Sequence, residues 1–246
     1  MGITKLIDPF YRKLPDEDYQ KSFITGQFCY IASAQLDVIP WVMEVQRADP
    51  TGHKNIKFNI RKLCSGDYCR KTELPLYYLT LRHNEELIIQ KSKRRPGIII
   101  SAENIAFEDI TNILRTKKKK HLQQECLLVV PLFSMETTLS HTGFPPEMVS
   151  RIKALMYNQF FYCPQIPIGF NRIEGIARLD RVQIIIKSSF PGNRRVFEPI
   201  DIAFTDEVTV IFINMLREWL GIRGNSEDIE NLRTVRNIVS ETLPPS

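Results

Sequence analysis

Arg95-Pro96-Gly97-Ile98-Ile99-Ile100-Ser101 places a proline and a glycine ahead of three isoleucines and a hydroxyl. A run this short, β-branched and led by turn formers reads as a buried strand. Beyond it, Ser101 is positioned to cap a helix carrying Ile105, Ile110, Ile113 and Leu114. Glu125 to Ser134 then reads as a second central strand, and Pro145-Pro146 opens a helix to Tyr157 with Met148, Ile152 and Leu155 on one face. Gly175 to Ile186 reads as one more strand and Phe197 to Phe204 as irregular or extended. Thr205 is expected to cap the clearest helix, with Val208, Ile211, Phe212, Met215, Leu216 and Leu220 at helical spacing and Gly221 at its end. Ser226 to Val239 forms a last amphipathic helix.

On the other side of Arg95, the segments Phe23 to Ile31, Val38 to Gln46 and Ile56 to Leu63 are rich in Ile, Val, Phe and Tyr. Turn residues such as Asp49-Pro50-Thr51-Gly52 separate them. Leu74 to Leu81 and Glu86 to Gln90 are candidate further strands, and residues 1–22, broken by Pro9 and Pro15, read as an arm with one helical turn. Strands followed by segregated helices predict a mostly β, α+β fold with an antiparallel core rather than alternating βαβ units.

Composition narrows the class. Of 246 residues, 43% are hydrophobic and 25% charged, which excludes a disordered chain. The longest apolar run, Cys126 to Met135, is too short to cross a bilayer, and the start has no apolar core ahead of Asp8 and Pro9. The expectation is a cytoplasmic protein with no membrane association. Five scattered cysteines suit reduced thiols better than a disulfide framework. Cys64, Cys69 and His53 lack a second ligand pair at zinc spacing, so no metal is expected.

The positive charge is concentrated. Between Lys91 and Glu125 stand nine basic residues against four acidic ones, a surplus equal to the net +5 of the whole chain. The clusters Lys91 to Arg95 and Arg115 to His121 suit a phosphate-bearing partner and equally a solvated loop.

Phosphate-cradling and nucleophile-elbow motifs are absent from the sequence, and eleven glycines leave little material for them. What remains is Gly175-Ile176-Ala177-Arg178-Leu179-Asp180-Arg181. Two apart on a strand, Arg178 and Asp180 would share a face. A carboxylate that takes the proton of a ribose 2′-hydroxyl, beside a guanidinium that steadies charge building on phosphorus, suits metal-independent cleavage of RNA. An exposed same-face ion pair has the same pattern.

Three segments in order carry a resemblance: Lys93 to Ser101, Leu128-Val129-Val130-Pro131-Leu132-Phe133-Ser134, and Ile176 to Arg181. From Arg95 to Ile222 the chain resembles the MazF/PemK/Kid family of toxin endoribonucleases. The resemblance implies an SH3-like β barrel of MazF/PemK/CcdB type over residues 23–222, with a long insertion at about 32–90 and a C-terminal helical extension at 223–246. It also implies a homodimer that binds single-stranded RNA, an antitoxin protein as partner, and cleavage to a 2′,3′-cyclic phosphate without a cofactor. On that pattern Asp180 is the base and Arg178 stabilises the phosphorane. Arg95 and Ser134 hold phosphate, and Ser101, Arg181, Lys93 and His141 complete the candidate substrate-binding set. Phe133 departs from the pattern, standing where the family often has a threonine, and a stacking contact would replace the lost hydroxyl. Phe160-Phe161-Tyr162 could stack bases but reads more readily as core, and Trp41 and Trp219 read as packing residues. The rival reading is a non-catalytic binding protein on the same barrel, directed at gyrase, RNA or another protein.

Overall fold

A computed structural model describes residues 2–16, 19–35, 38–47, 56–65, 67, 87–101, 126–135, 143–168, 171–187, 189–190, 194–195, 197–222, 224 and 226–241. The expected strand Leu74 to Leu81, the helix after Ser101, the lysine run and His141 lie outside the described residues. The chain divides into two compact units, Met1–Ala32 with Arg94–Ser246, and Ser33–Lys93.

The first unit holds an antiparallel sheet of eight strands: β1 (Tyr11–Lys13), β2 (Gln27–Ala34), β6 (Ser92–Ser101), β7 (Cys126–Ser134), β8 (Phe160–Ile168), β9 (Asn171–Arg178), β10 (Gln183–Ile186) and β13 (Phe197–Phe204). Their order is β1-β13-β2-β6-β7-β9-β8, with β10 also on β7. Three α-helices accompany them among the described residues: α1 (Pro146–Lys153), α2 (Asp206–Trp219) and α3 (Ser226–Ser240). The short pair β11 (Ser189–Phe190) and β12 (Arg194–Arg195) stands apart. This is the α+β class that the strand-then-helix order implies.

The sheet curls until its two ends meet through a side chain. Tyr11 on β1 donates its hydroxyl to the carbonyl of Pro164 on β8 at 2.8 Å. Inside the curl sits an aromatic core centred on Phe204, whose ring lies between 5.1 and 5.9 Å from those of Phe10, Tyr11, Phe28, Phe161 and Phe212. Each such buried ring contributes about 1.5–3 kcal/mol of burial energy. Two of the six come from residues 1–22, the stretch read as an arm. Ile3 and Phe10 are core residues, and β1 pairs with β13 from Tyr11↔Phe204 to Lys13↔Ile202.

Gly97 explains how closely the centre of the sheet packs. A Cβ there would stand 2.6 Å from Val129 Cγ1 and 3.2 Å from the carbonyl oxygen of Val130, so β6 and β7 approach only with glycine at that position.

Several expectations need correction. Phe197 to Phe204, expected to be irregular or extended, is a full strand, and Phe160 to Ile168, of which only the aromatic cluster Phe160 to Tyr162 stood out in sequence, is another. The strand expected from Phe23 begins at Gln27, and the one expected at Glu86 to Gln90 shrinks to Ile88–Ile89. Trp219 is 42% exposed, because it lies on the last turn of α2, past the stretch that packs on the core. Thr205 does precede α2, but its side chain makes no capping hydrogen bond; the hydroxyl is buried without a partner among the described residues. Its carbonyl instead accepts from the Thr209 amide at 2.9 Å and the Thr209 hydroxyl at 2.8 Å. Gly221 does end α2, at φ +69°.

The second unit is a three-stranded antiparallel sheet in the order β4-β3-β5: β3 (Trp41–Arg47), β4 (Ile56–Lys62) and β5 (Ile88–Ile89). It occupies the stretch that the family pattern marks as an insertion.

Candidate functional site

Gly175 to Ile186 is not one strand. Both β9 and β10 run antiparallel to β7, but their registers differ. Leu132 faces Ala177 and Val129 faces Gln183. On β7 those two pairs are three residues apart; on the facing chain they are six apart. The three surplus residues, Leu179–Arg181, form a 3₁₀ turn. Extra residues in one strand interrupt the ladder and re-aim side chains. Pro131, which has no amide hydrogen to leave unpaired, stands in the gap. The turn is anchored by Leu179, buried at 1% exposure, whose amide donates to the Gln159 carbonyl at 2.9 Å.

Arg178 and Asp180 therefore meet by a route other than strand alternation. Arg178 ends β9 and Asp180 lies in the turn, so the shared-face argument gives way to a turn that folds one side chain back on the other. The guanidinium makes two bonds, Nε to Oδ1 at 2.7 Å and Nη2 to Oδ2 at 2.5 Å. Arg181 adds a third cationic contact, Nε to Oδ2 at 3.5 Å. Hydrogen bonds from Arg178 hold the Asp180 carboxyl below the ordinary carboxylate range, against the opposing pull of partial burial. The pair is neither sealed nor fully solvated, with side chains 23% and 20% exposed.

Aromatic rings complete the cluster. Phe160 faces Arg178 across β8 and β9, and the Arg178 guanidinium lies 5.4 Å from its ring centre and 5.6 Å from that of Phe133. Arg95, from β6, lies 4.3 Å over the same Phe133 ring. Desolvation lowers the Arg95 pKa from its ordinary value, but a guanidinium keeps its charge. Two cations on one ring, flanked by a carboxylate and a second ring, can grip a phosphate and stack a base together.

The other candidates divide. Arg181 belongs to the turn. Lys93 is exposed on β6. Ser134 follows Phe133 and so lies on the opposite face of β7, exposed and paired through its backbone with Gly175. Ser101 is paired with Leu128, five residues along β7 from Phe133 and thus about 17 Å away, so it does not join the cluster. His141 lies outside the described residues. Phe160-Phe161-Tyr162 reads in sequence as a base-stacking candidate that is more readily core; Phe160 joins the cluster, while Phe161 is fully buried.

A second polar cluster was missed. Tyr162 donates to Glu174 at 2.6 Å and Lys153 meets the same carboxylate at 2.7 Å. Burial pushes Glu174 up, but those two partners outweigh it and leave the carboxyl lowered. A cavity of about 250 Å³ between α2 and α3 shares no residue with the Arg178 cluster, and it is crossed by ion pairs, Arg217 to Asp228 at 3.6 Å and Arg236 to Glu218 at 2.8 Å. Among the described residues, no helix is long and apolar enough to cross a membrane.

No family model, curated protein or solved structure matches the chain.

Proposed function

We propose that this chain is a metal-independent endoribonuclease acting on single-stranded RNA, of the MazF/PemK kind, built on an SH3-like barrel and working as the toxin of a toxin–antitoxin pair. The observation that carries the reading is the three-residue turn in the β9–β10 ladder. It brings Asp180 and Arg181 together beside Arg178, whose guanidinium lies near the Phe133 ring that Arg95 also covers. In this reading a backbone phosphate draws the Arg178 guanidinium from Asp180, and the freed carboxylate takes the proton of the adjacent 2′-hydroxyl. The 2′ oxygen bonds phosphorus and the bond to the 5′ oxygen breaks, with the leaving oxygen protonated from solvent. The products are a 2′,3′-cyclic phosphate and a 5′-hydroxyl. Arg178 and Arg95 bear the charge that develops on the non-bridging oxygens. The nucleophile belongs to the substrate, so the step calls for no cofactor.

The rival, a non-catalytic RNA- or protein-binding module on the same sheet, draws on one specific observation. Both oxygens of Asp180 are engaged by Arg178, as in a structural ion pair. Incubation with single-stranded RNA in excess EDTA separates the two. Cyclic phosphate ends that vanish in Asp180→Ala and Arg178→Ala support the nuclease. Intact RNA retained in a salt-sensitive manner sinks it and leaves the binding module.

A further inference from the structure

The register of the three-stranded sheet sorts its side chains onto two unlike faces. Trp41 lies opposite Lys62 and Met43 opposite Ile60, with Phe58 two residues further along β4; Ile89 of β5 also lies opposite Trp41. Directly opposed residues and those two apart share a face, so Trp41, Met43, Phe58, Ile60 and Ile89 make one apolar surface. The other face carries Val42, Glu44, Lys57, Asn59, Arg61 and Ile88. There Val42 is fully buried, and Arg61 bonds Glu44 at 2.9 Å and Asp67 at 3.0 Å. The apolar surface is open along β4 and β5: Phe58 is 58% exposed, Ile60 51% and Ile89 37%. Contiguous apolar side chains left this open mark a surface to be covered.

β4 is also an edge. It ends the strand order, and among the described residues its backbone pairs only with β3. A seven-residue edge with unpaired amide and carbonyl groups is a template for one more strand.

Charge decides which strand. Residues 56–62 hold Lys57, Arg61 and Lys62 and no acid. Arg61 is occupied by Glu44 and Asp67, while the exposed Lys57 and Lys62 form no ion pair among the described residues. A second copy of β4 fits poorly. It brings a strand with three cations and no acid against another of the same charge, and pairing centred on Asn59 sets Lys57 directly against Arg61. Like charges directly opposite are destabilising. We propose that β4 is the docking edge for an acidic, extended segment of a partner protein. That segment adds as a fourth strand, with apolar residues over Phe58 and Ile60 and carboxylates against Lys57 and Lys62. The surface owes nothing to the RNA-cleavage reading and stands or falls separately.

The test is fluorescence anisotropy with the full chain and a labelled decapeptide with the core Glu-Thr-Val-Thr-Val-Glu, which in antiparallel pairing sets valine beside Phe58 and Ile60 and glutamate beside Lys57 and Lys62. Saturable binding is expected, weakened by salt and at least tenfold tighter than for the analogue with lysine in place of glutamate. N-methylation of alternate peptide amides should abolish it. Lys57→Glu/Lys62→Glu, at two exposed positions where the fold is not at stake, should reverse the preference between the two peptides. Three results overturn the proposal. One is no saturable binding, or binding indifferent to the double substitution. Another is a self-association that Phe58→Asp dissolves, which gives the surface to a second copy. The last is retention of single-stranded RNA, but not of the peptide, that is lost in the double variant.

Discussion

Arg178 grips Asp180 with both an Nε and an Nη hydrogen bond, at 2.7 and 2.5 Å, across a turn that exists only because β9 and β10 are out of register on β7. The two-point contact keeps the carboxylate ionised and also occupied. In the proposed nuclease a substrate phosphate must displace it before the carboxylate can act, so charge on the ligand and readiness of the base would be linked in one pair of side chains.

That linkage sets the first prediction. Asp180→Asn removes the proposed base while keeping its shape, and on the nuclease reading cleavage of single-stranded RNA should fall by about a hundredfold or more. Arg178→Lys keeps the charge but loses the planar two-point grip, so it should also be impaired. The acid limb of the wild-type kcat/KM profile should lie below the usual carboxylate range, because the free-enzyme Asp180 is lowered. Rates measured from pH 3.5 to 8 check both, and an acid limb near neutrality would assign the base elsewhere.

Phe133 is the ring on which Arg95 and Arg178 converge, at 4.3 and 5.6 Å. Phe133→Leu retains apolar bulk and removes the π face. RNA binding should weaken by about 1 kcal/mol, close to fivefold, while Phe133→Tyr should bind as the wild type does. Filter-binding titrations of the two variants read this directly. Equal affinities for Leu and Tyr would mean that the ring only packs.

Much of the fold is legible in the residue pattern, and the exceptions have physical causes. Ile98 to Ile100, Cys126 to Ser134 and the helix after Thr205 carry unambiguous period and punctuation, and each is found where the pattern puts it. Phe160 to Ile168 hides because Pro164 and Pro167 interrupt it, and prolines in a strand argue against a strand. At the site, the residue types were readable but their geometry was not. Gly175 to Ile186 reads as one strand, and only the pairing with β7 exposes three surplus residues. Ser101 shows the converse: its place in a motif suggested a role at the site, while the register sets it at the far end of β7.

The carboxyls of Asp180 and Glu174 are both lowered in the folded chain. The unfolded chain, with carboxyl values near 4, therefore takes up protons before the native one does. The stability they contribute is complete above about pH 5 and is lost as pH falls below about 4 towards the native values. Urea midpoints followed by circular dichroism should drop across that window. In Glu174→Gln/Asp180→Asn the drop should be shallower, from a lower starting stability. An identical pH slope in the variant would mean that neither carboxyl is acidified on folding.

Cys29 and Cys163 are buried and Cys64 is exposed. Desolvation pushes the Cys29 thiol up to about 12 and raises Cys163 as well. A thiol must ionise and be reached to react. Iodoacetamide at pH 8 should therefore label Cys64 in the native protein and leave Cys29 and Cys163 unmodified until denaturant is added. Mass spectrometry of the peptides reads the order, and early labelling of Cys163 would contradict a closed core between β8 and β9.

Thr205 offers a test of capping against burial at a single hydroxyl. An N-cap threonine that bonds the first turn of its helix loses about 1 kcal/mol when the hydroxyl is removed. Here the Thr205 hydroxyl is buried without a partner among the described residues, and its carbonyl accepts from the Thr209 amide and hydroxyl. Removing an unsatisfied buried hydroxyl while preserving its shape relieves a desolvation cost rather than breaking a bond. Thr205→Val should therefore leave the urea midpoint unchanged or raise it. Thr209→Val, which removes a hydroxyl bonded at 2.8 Å, should lower it slightly. A loss of about 1 kcal/mol in Thr205→Val would restore the capping role that its place in the sequence suggests.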